Sequence, residues 1–203
     1  MFPPSLCVFA RRPESGRVKT RLAAEIGAEA ALGAYRDCLR AVAAQAARIA
    51  PRGSLRGLFV FGTPDGCVND MAAWFPRWSA FMDQGDGDLG ERMGRAFRRC
   101  SPAVLIGTDS PDLPDAHVEQ AFRDLESHDV VLGPAEDGGY VLIGLREQRP
   151  DLFRDIPWST PAVLETTLKR AAGLRVSLLP PWYDIDTRAD LERWRRGTAG
   201  AQG

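Results

Sequence analysis

Short runs in which nearly every position is apolar alternate with longer stretches whose apolar positions recur every three or four residues. The runs lie at Ser5–Ala10, Leu55–Phe61, Trp78–Met82, Ala103–Gly107, Val130–Gly133, Tyr140–Leu145 and Arg175–Leu179. Their lengths and their apolar character on both alternating sets predict strands buried on both faces. The intervening spacing predicts helices over Val18–Ile26 and Glu29–Ile49, broken near Gly27, then over Val68–Phe75, Asp88–Cys100, Pro114–Leu125, Pro161–Ala172 and Thr187–Arg196. The second helix is Ala-rich, and Leu32, Tyr35, Leu39, Val42, Ala46 and Ile49 fall on one of its faces. Pro114 suits a first helical turn, and Thr160 before Pro161 has the pattern of an N-cap followed by proline. Thr187-x-x-Asp190 resembles a capping box.

Strands alternating with helices predict a three-layer α/β/α fold with a mostly parallel sheet. No linker, repeat or low-complexity block divides the 203 residues, so one domain is expected over 1–197, with 198–203 as a disordered tail. In such sheets ligands bind outside the carboxyl ends of the strands. The unusual residues fall in the loops that leave those ends.

Charge changes the picture only locally. The net charge is -1, which gives no global attraction to nucleic acid or to an anionic membrane. Cys7, Cys38, Cys67 and Cys100 are far apart and form no CxxC pair, which argues against zinc and for reduced thiols in a cytoplasmic chain. MFPPSLCVFA lacks the basic flank of a signal peptide, and no apolar stretch approaches the length of a membrane span.

Four loops carry candidate chemistry. ARRPESGRVKTRL, residues 10–22, sets Arg11, Arg12, Arg17, Lys19 and Arg21 against a single acid, Glu14, at the start of the first helix. Cations there oppose the helix dipole unless an anion is bound. Gly16 lets the backbone approach a phosphate closely. The loop is neither a Walker A motif nor a GxGxxG fingerprint. QGDGDLGERM, residues 84–93, surrounds Asp86 and Asp88 with Gly85, Gly87 and Gly90 at a helix start, a pattern that acidic N-capping also explains. In AVLIGTDSPDLP, residues 103–114, a buried strand delivers Asp109 to the sheet edge, where a hard cation with substrate phosphates would use it. Asp112 in the same stretch is better suited to shaping the turn. GPAEDGGYVLIGL and WYDIDTRADLERW add Glu136, Asp137, Asp184 and Asp186. Asp184 or Asp186 would complete a metal site with Asp109, while Asp186 or Thr187 would equally serve as a helix cap. Asp137, beside Gly138 and Gly139, is the candidate general base. Trp158 would line a pocket or simply pack.

FARRPESGRVKTRL, QGDGDLGERM, IGTDSPDLP, GPAEDGGYVLIGL and IPWSTPAVLETT, in that order over about residues 5–195, resemble a bacterial family with a glycosyltransferase-A-like fold. It is known as the radical-SAM or selenodomain-associated transferase family and is similar in fold to the nucleotidyltransferases of molybdenum-cofactor and 2-phospholactate metabolism. The resemblance implies a nucleotide sugar or nucleoside triphosphate, a small-molecule acceptor, and Mg²⁺ or Mn²⁺. It implies that Arg11, Gly16, Lys19 and Arg21 hold phosphates and that Asp88, Gly90 and Arg92 lie near the base or sugar. It further implies metal ligation by Asp109 with Asp184 or Asp186, and an acceptor beside Gly138, Gly139 and Trp158. Glycosyltransferases of this fold commonly carry Asp-x-Asp, whereas Gly107-Thr108-Asp109 offers one Asp, as nucleotidyltransferases do. Three expectations follow: a metal-dependent nucleotide-sugar transferase, a nucleotidyltransferase, or a nucleotide-binding protein without catalysis.

Overall fold

The computed structural model describes residues 3–50 and 55–200, with backbone alone at the last two. Seven strands form one sheet: β1 (Ser5–Arg11), β2 (Gly57–Thr63), β3 (Ala80–Asp83), β4 (Ala103–Ile106), β5 (Val130–Pro134), β6 (Tyr140–Leu145) and β7 (Val176–Leu178). Their order is β3-β2-β1-β4-β6-β5-β7. Only β6 is reversed; it pairs antiparallel with β4 and β5. The carboxyl ends of the other six therefore share one edge, and β6 starts there.

The near-continuous apolar runs follow from burial on both sides. Along β1, Leu6, Val8 and Ala10 enter one core while Cys7 and Phe9 enter the other. The first core is covered by α2 (Ala28–Ile49), α3 (Val68–Met71) and α5 (Asp115–Asp124). All six residues of the α2 face expected from spacing are in it. The second core is covered by α4 (Leu89–Cys100), α6 (Val163–Arg170) and a 3-10 turn at Pro150–Phe153. A third cluster joins Leu22 of α1 (Thr20–Ile26), the far side of α2 and Leu191 and Trp194 of α7 (Arg188–Gly200). The architecture is three-layer α/β/α with a mostly parallel sheet.

Several boundaries move for identifiable reasons. β2 lies two residues later than expected, because it stays in register with β1 from Ser5–Gly57 to Arg11–Thr63. Gly27, with φ 88°, breaks α1 from α2 where the sequence placed the break. α1 starts at Thr20 rather than Val18, because Lys19 is left-handed (φ 48°, ψ 48°). α3 ends after one turn at Met71. α6 starts at Val163, since Thr160 is spent on a turn: its hydroxyl donates to the Pro157 carbonyl (2.7 Å) and accepts from the Ala162 N–H (3.3 Å). α7 carries helix through Gly200, past the expected domain end at 197, and residues 201–203 of the expected tail lie outside the described residues. The Thr187–Asp190 box forms: Asp190 accepts from the Thr187 N–H (2.8 Å), and the Thr187 hydroxyl accepts from the Asp190 N–H (3.3 Å). All four cysteines are free and buried. Among the described residues no helix is long and apolar enough to cross a membrane.

Candidate functional site

The carboxyl ends of β1 and β4 are tied together before any functional side chain is added. The Tyr35 hydroxyl, delivered from α2, accepts from the Arg11 N–H (2.8 Å), donates to the Arg11 carbonyl (2.9 Å) and lies 3.2 Å from the Thr108 hydroxyl. Burial raises the Tyr35 pKa, so it stays a neutral strut. Sequence reasoning placed Tyr35 only in the core. Its signal was a hydroxyl on an otherwise aliphatic helix face, below the end of the first strand.

Lys19 occupies the centre. Its left-handed backbone is uncommon outside glycine, and it turns the side chain inward, where only 2% of it is exposed. The ammonium ion-pairs with Asp109 and donates to the Ile185 carbonyl at 2.6 Å. The Ile185 N–H in turn donates to the Asp109 carbonyl at 2.8 Å. Three segments far apart in sequence thus close on one cation. Burial opposes the charge on Lys19 most strongly, but the surrounding groups, Asp109 first and Asp186 among them, together more than offset it, so the lysine pKa stands above its ordinary value.

The late acids divide. Asp184 is half-buried and accepts from the Ser110 hydroxyl at 2.5 Å. Burial pushes its pKa up to about 6, with the charges of Asp109 and Asp137 adding to the shift and Ser110 and Lys19 opposing it. Asp186 is paired with Arg21 at 3.0 Å. Asp137 accepts from the Gly139 N–H at 3.0 Å, within its own turn. Glu136 is clamped by Arg193 through contacts of 3.0–3.2 Å. Asp112 accepts from the Trp182 indole (3.1 Å) and from the Tyr183 hydroxyl, which binds the turn after β4 to the segment before α7.

The glycine loop before α4 is built differently. Gln84 is buried and donates to the carbonyls of Ala10 (3.1 Å) and Phe61 (3.0 Å), which pins the loop to the ends of β1 and β2. Asp88 and Glu91 complete a capping box, each side chain accepting from the other's backbone at 2.9 Å. Arg92 donates to the Gly87 carbonyl at 2.9 Å. A Cβ on Gly90 would come within 2.9 Å of Phe153 and Trp158, so this glycine serves packing. Gly138, at φ 92°, faces Pro161, whose carbonyl oxygen would lie 2.3 Å from an added Cβ. Gly90, Trp158, Gly138 and Pro161 therefore gather on the α4–α6 side of the edge. Lys19, Asp109, Asp184, Asp186 and Arg21 gather on the β1–β4 side. Gly16, with φ 72° and nothing within 4 Å of an added Cβ, lies in open space. Arg11 folds back onto the Arg17 carbonyl at 3.2 Å.

Among the described residues no three His, Cys, Asp or Glu side chains form a ready-made metal cluster. What is present is Asp109, 53% exposed, next to Asp184, whose pKa its charge raises. Two carboxylates are the protein share that Mg²⁺ usually takes alongside substrate phosphates. The oxygen donors therefore fit a hard divalent cation that arrives with a phosphorylated ligand.

No curated protein matches the chain. The chain is similar to the crystal structure of a Desulfovibrio desulfuricans G20 protein that carries the provisional name nucleotide-diphospho-sugar transferase. The two share 35% identity at a TM-score of 0.79, over 91% of this chain and 83% of that one. It is similar in fold to a CMP:2-keto-3-deoxy-manno-octonic acid synthetase complexed with CTP, at 15% identity and TM-score 0.56, over 98% of this chain and 99% of that one. It is also similar in fold to Rv0371c of Mycobacterium tuberculosis H37Rv in complex with manganese, at 17% identity and TM-score 0.52, over 94% and 97%. The fold is thus that of nucleotide-diphospho-sugar transferases. Residues 46–160 match the family described as an uncharacterized protein conserved in bacteria, DUF2064, and the chain belongs to that family.

Proposed function

We propose that the protein is a metal-dependent transferase that uses a nucleotide-diphosphate sugar as donor. The observation that carries this reading is the meeting of Lys19 with Asp109 at the ends of β1 and β4, with Asp184 beside them. A basic loop, a half-exposed carboxylate and a second, half-buried acid at one sheet edge suit a diphosphate and its cation. The similarity to the Desulfovibrio protein supports the sugar nucleotide as donor class.

Asp109 and Asp184 would hold Mg²⁺ or Mn²⁺, which would neutralise the charge developing on the departing diphosphate. Lys19 and Arg21 would face the phosphates, and the open backbone at Gly16 would let the loop close on them. Arg11 would brace that loop through the Arg17 carbonyl. The acceptor would enter from the side of Gly138, Gly139 and Trp158. Asp137 has one oxygen held by Gly139 and the other free to take a proton from an acceptor hydroxyl.

A second reading, nucleotidyl transfer from a nucleoside triphosphate, is favoured by the lone Asp109 after β4 and by the fold shared with a synthetase that binds CTP. An acceptor phosphate needs no base, and Asp137 would then be dispensable. Phosphorus NMR on the protein with nucleotide sugars or nucleoside triphosphates and Mn²⁺ separates the two, water serving as a slow acceptor. Nucleoside diphosphate released with Mn²⁺ and not with EDTA is the expected result. Pyrophosphate release would support the second reading, and neither product from folded protein would contradict both.

A further inference from the structure

The chain contains 24 arginines and two lysines. Lys169 is on the surface, paired with Glu165 one helical turn away. Lys19 is enclosed, its ammonium between the Asp109 carboxylate and the Ile185 carbonyl. Arginine is this chain's ordinary cation, so a lysine at this position calls for a chemical reason. An ammonium is a compact point charge, closer to a metal ion in its demands than a guanidinium fork is. Two oxygen partners, one anionic, are also what a cation would find there.

We propose that Lys19 is a built-in counter-cation that makes metal binding conditional on the donor. The inference rests on the metal-dependent reading above. In the free protein the ammonium neutralises Asp109, so an arriving divalent ion meets a positive charge already in place. A donor phosphate would supply the missing anion: it would accept from the ammonium, and its remaining charge would offset that of the cation. Donor and metal then each raise the other's affinity, as linkage requires. The ammonium also binds the first loop to the Asp109 and Ile185 segments, so the exchange would release three loops together.

The test is Mn²⁺ binding, read by the EPR signal of the free ion, in wild type and in Lys19→Met. Methionine keeps the length and apolar stem, and Asp109 is exposed enough to remain solvated without its partner. Without nucleotide, the variant should bind Mn²⁺ about tenfold tighter than wild type. With a saturating nucleoside diphosphate the gap should close or reverse. Equal or weaker binding by the nucleotide-free variant would overturn the proposal, while wild-type binding with nucleotide would leave the metal-dependent function standing. Mn²⁺ bound by neither protein in either condition would overturn both.

Should the variant fail to fold, wild type labelled with ¹³C at the lysine ε-carbon gives only two signals. Mg²⁺ alone should move the Lys19 signal in step with its own binding and leave Lys169 in place. Saturation by Mg²⁺, detected by displaced Mn²⁺, with Lys19 unmoved would overturn the exchange.

Discussion

Asp88 and Asp109 both stand at the same sheet edge, and both are flanked by loop residues that suggest a ligand. Asp88 closes its contacts within four residues, through the capping box with Glu91. Asp109 reaches Lys19, which also binds Ile185, 166 positions along the chain from that lysine. A capping carboxylate is satisfied by its own helix whatever else binds. A carboxylate held by a distant buried cation ties together loops that meet only in the tertiary fold. The difference shows why an acid-and-glycine motif alone is weak evidence for a site.

The largest expected effect tests that contrast. Asp109→Asn should lower turnover about a thousandfold, whereas Asp88→Ala should change it by no more than about threefold. Steady-state rates on the two variants check this; a collapse in both would merge the two regions into one site.

A pH effect should set the first region apart. Asp184 has a folded pKa of about 6, above the unfolded value, so the folded state holds its proton more tightly. Its contribution to stability is therefore present at low pH and is lost as pH rises from about 4 to 6. Metal-free wild type should lose about 2 kcal/mol across that window relative to Asp184→Asn. Parallel urea titrations of both proteins across pH would reveal it, and identical curves would contradict the burial argument.

The glycines sharpen the comparison further. Gly90→Ala should destabilise by about 2 kcal/mol, because the added Cβ meets Phe153 and Trp158. Gly16→Ala meets no atoms and should cost about 1 kcal/mol, for its positive φ alone. Thermal melts decide the order, and a larger loss at Gly16 would reverse it. The smallest effect belongs to the cap itself: Asp88→Ala should cost about 1 kcal/mol, measurable by urea denaturation, with nucleotide affinity unchanged.

Short-range physics explains what the sequence made legible. The six-residue face of α2, the break at Gly27 and the helix starts at Asp88 and Thr187 rest on periodicity, glycine conformation and capping, which act over a few residues. Asp109 stood out as a candidate because a buried strand, β4, runs towards it. What stayed hidden needs the tertiary fold. The reversal of β6 is a pairing choice, and nothing in the YVLIGL run encodes its direction. Lys19 has the pattern of the first helix, and only its inward contacts hold it left-handed. Gln84 and Ser110 look like ordinary loop residues until the edge is assembled around them. The same loop residues that position the site were thus the least predictable.

The most direct test of the account is the melting temperature of wild type and Asp109→Asn with nucleotide sugars, each with Mn²⁺ or with EDTA. A ligand bound only by the folded state at a hundredfold excess over Kd adds about 2.7 kcal/mol, or about 5 °C or more in a chain of this size. The account predicts such a rise for wild type with Mn²⁺, and its loss in EDTA and in Asp109→Asn. An equal rise in EDTA, or in the variant, would contradict the placement of the metal–diphosphate site at Asp109.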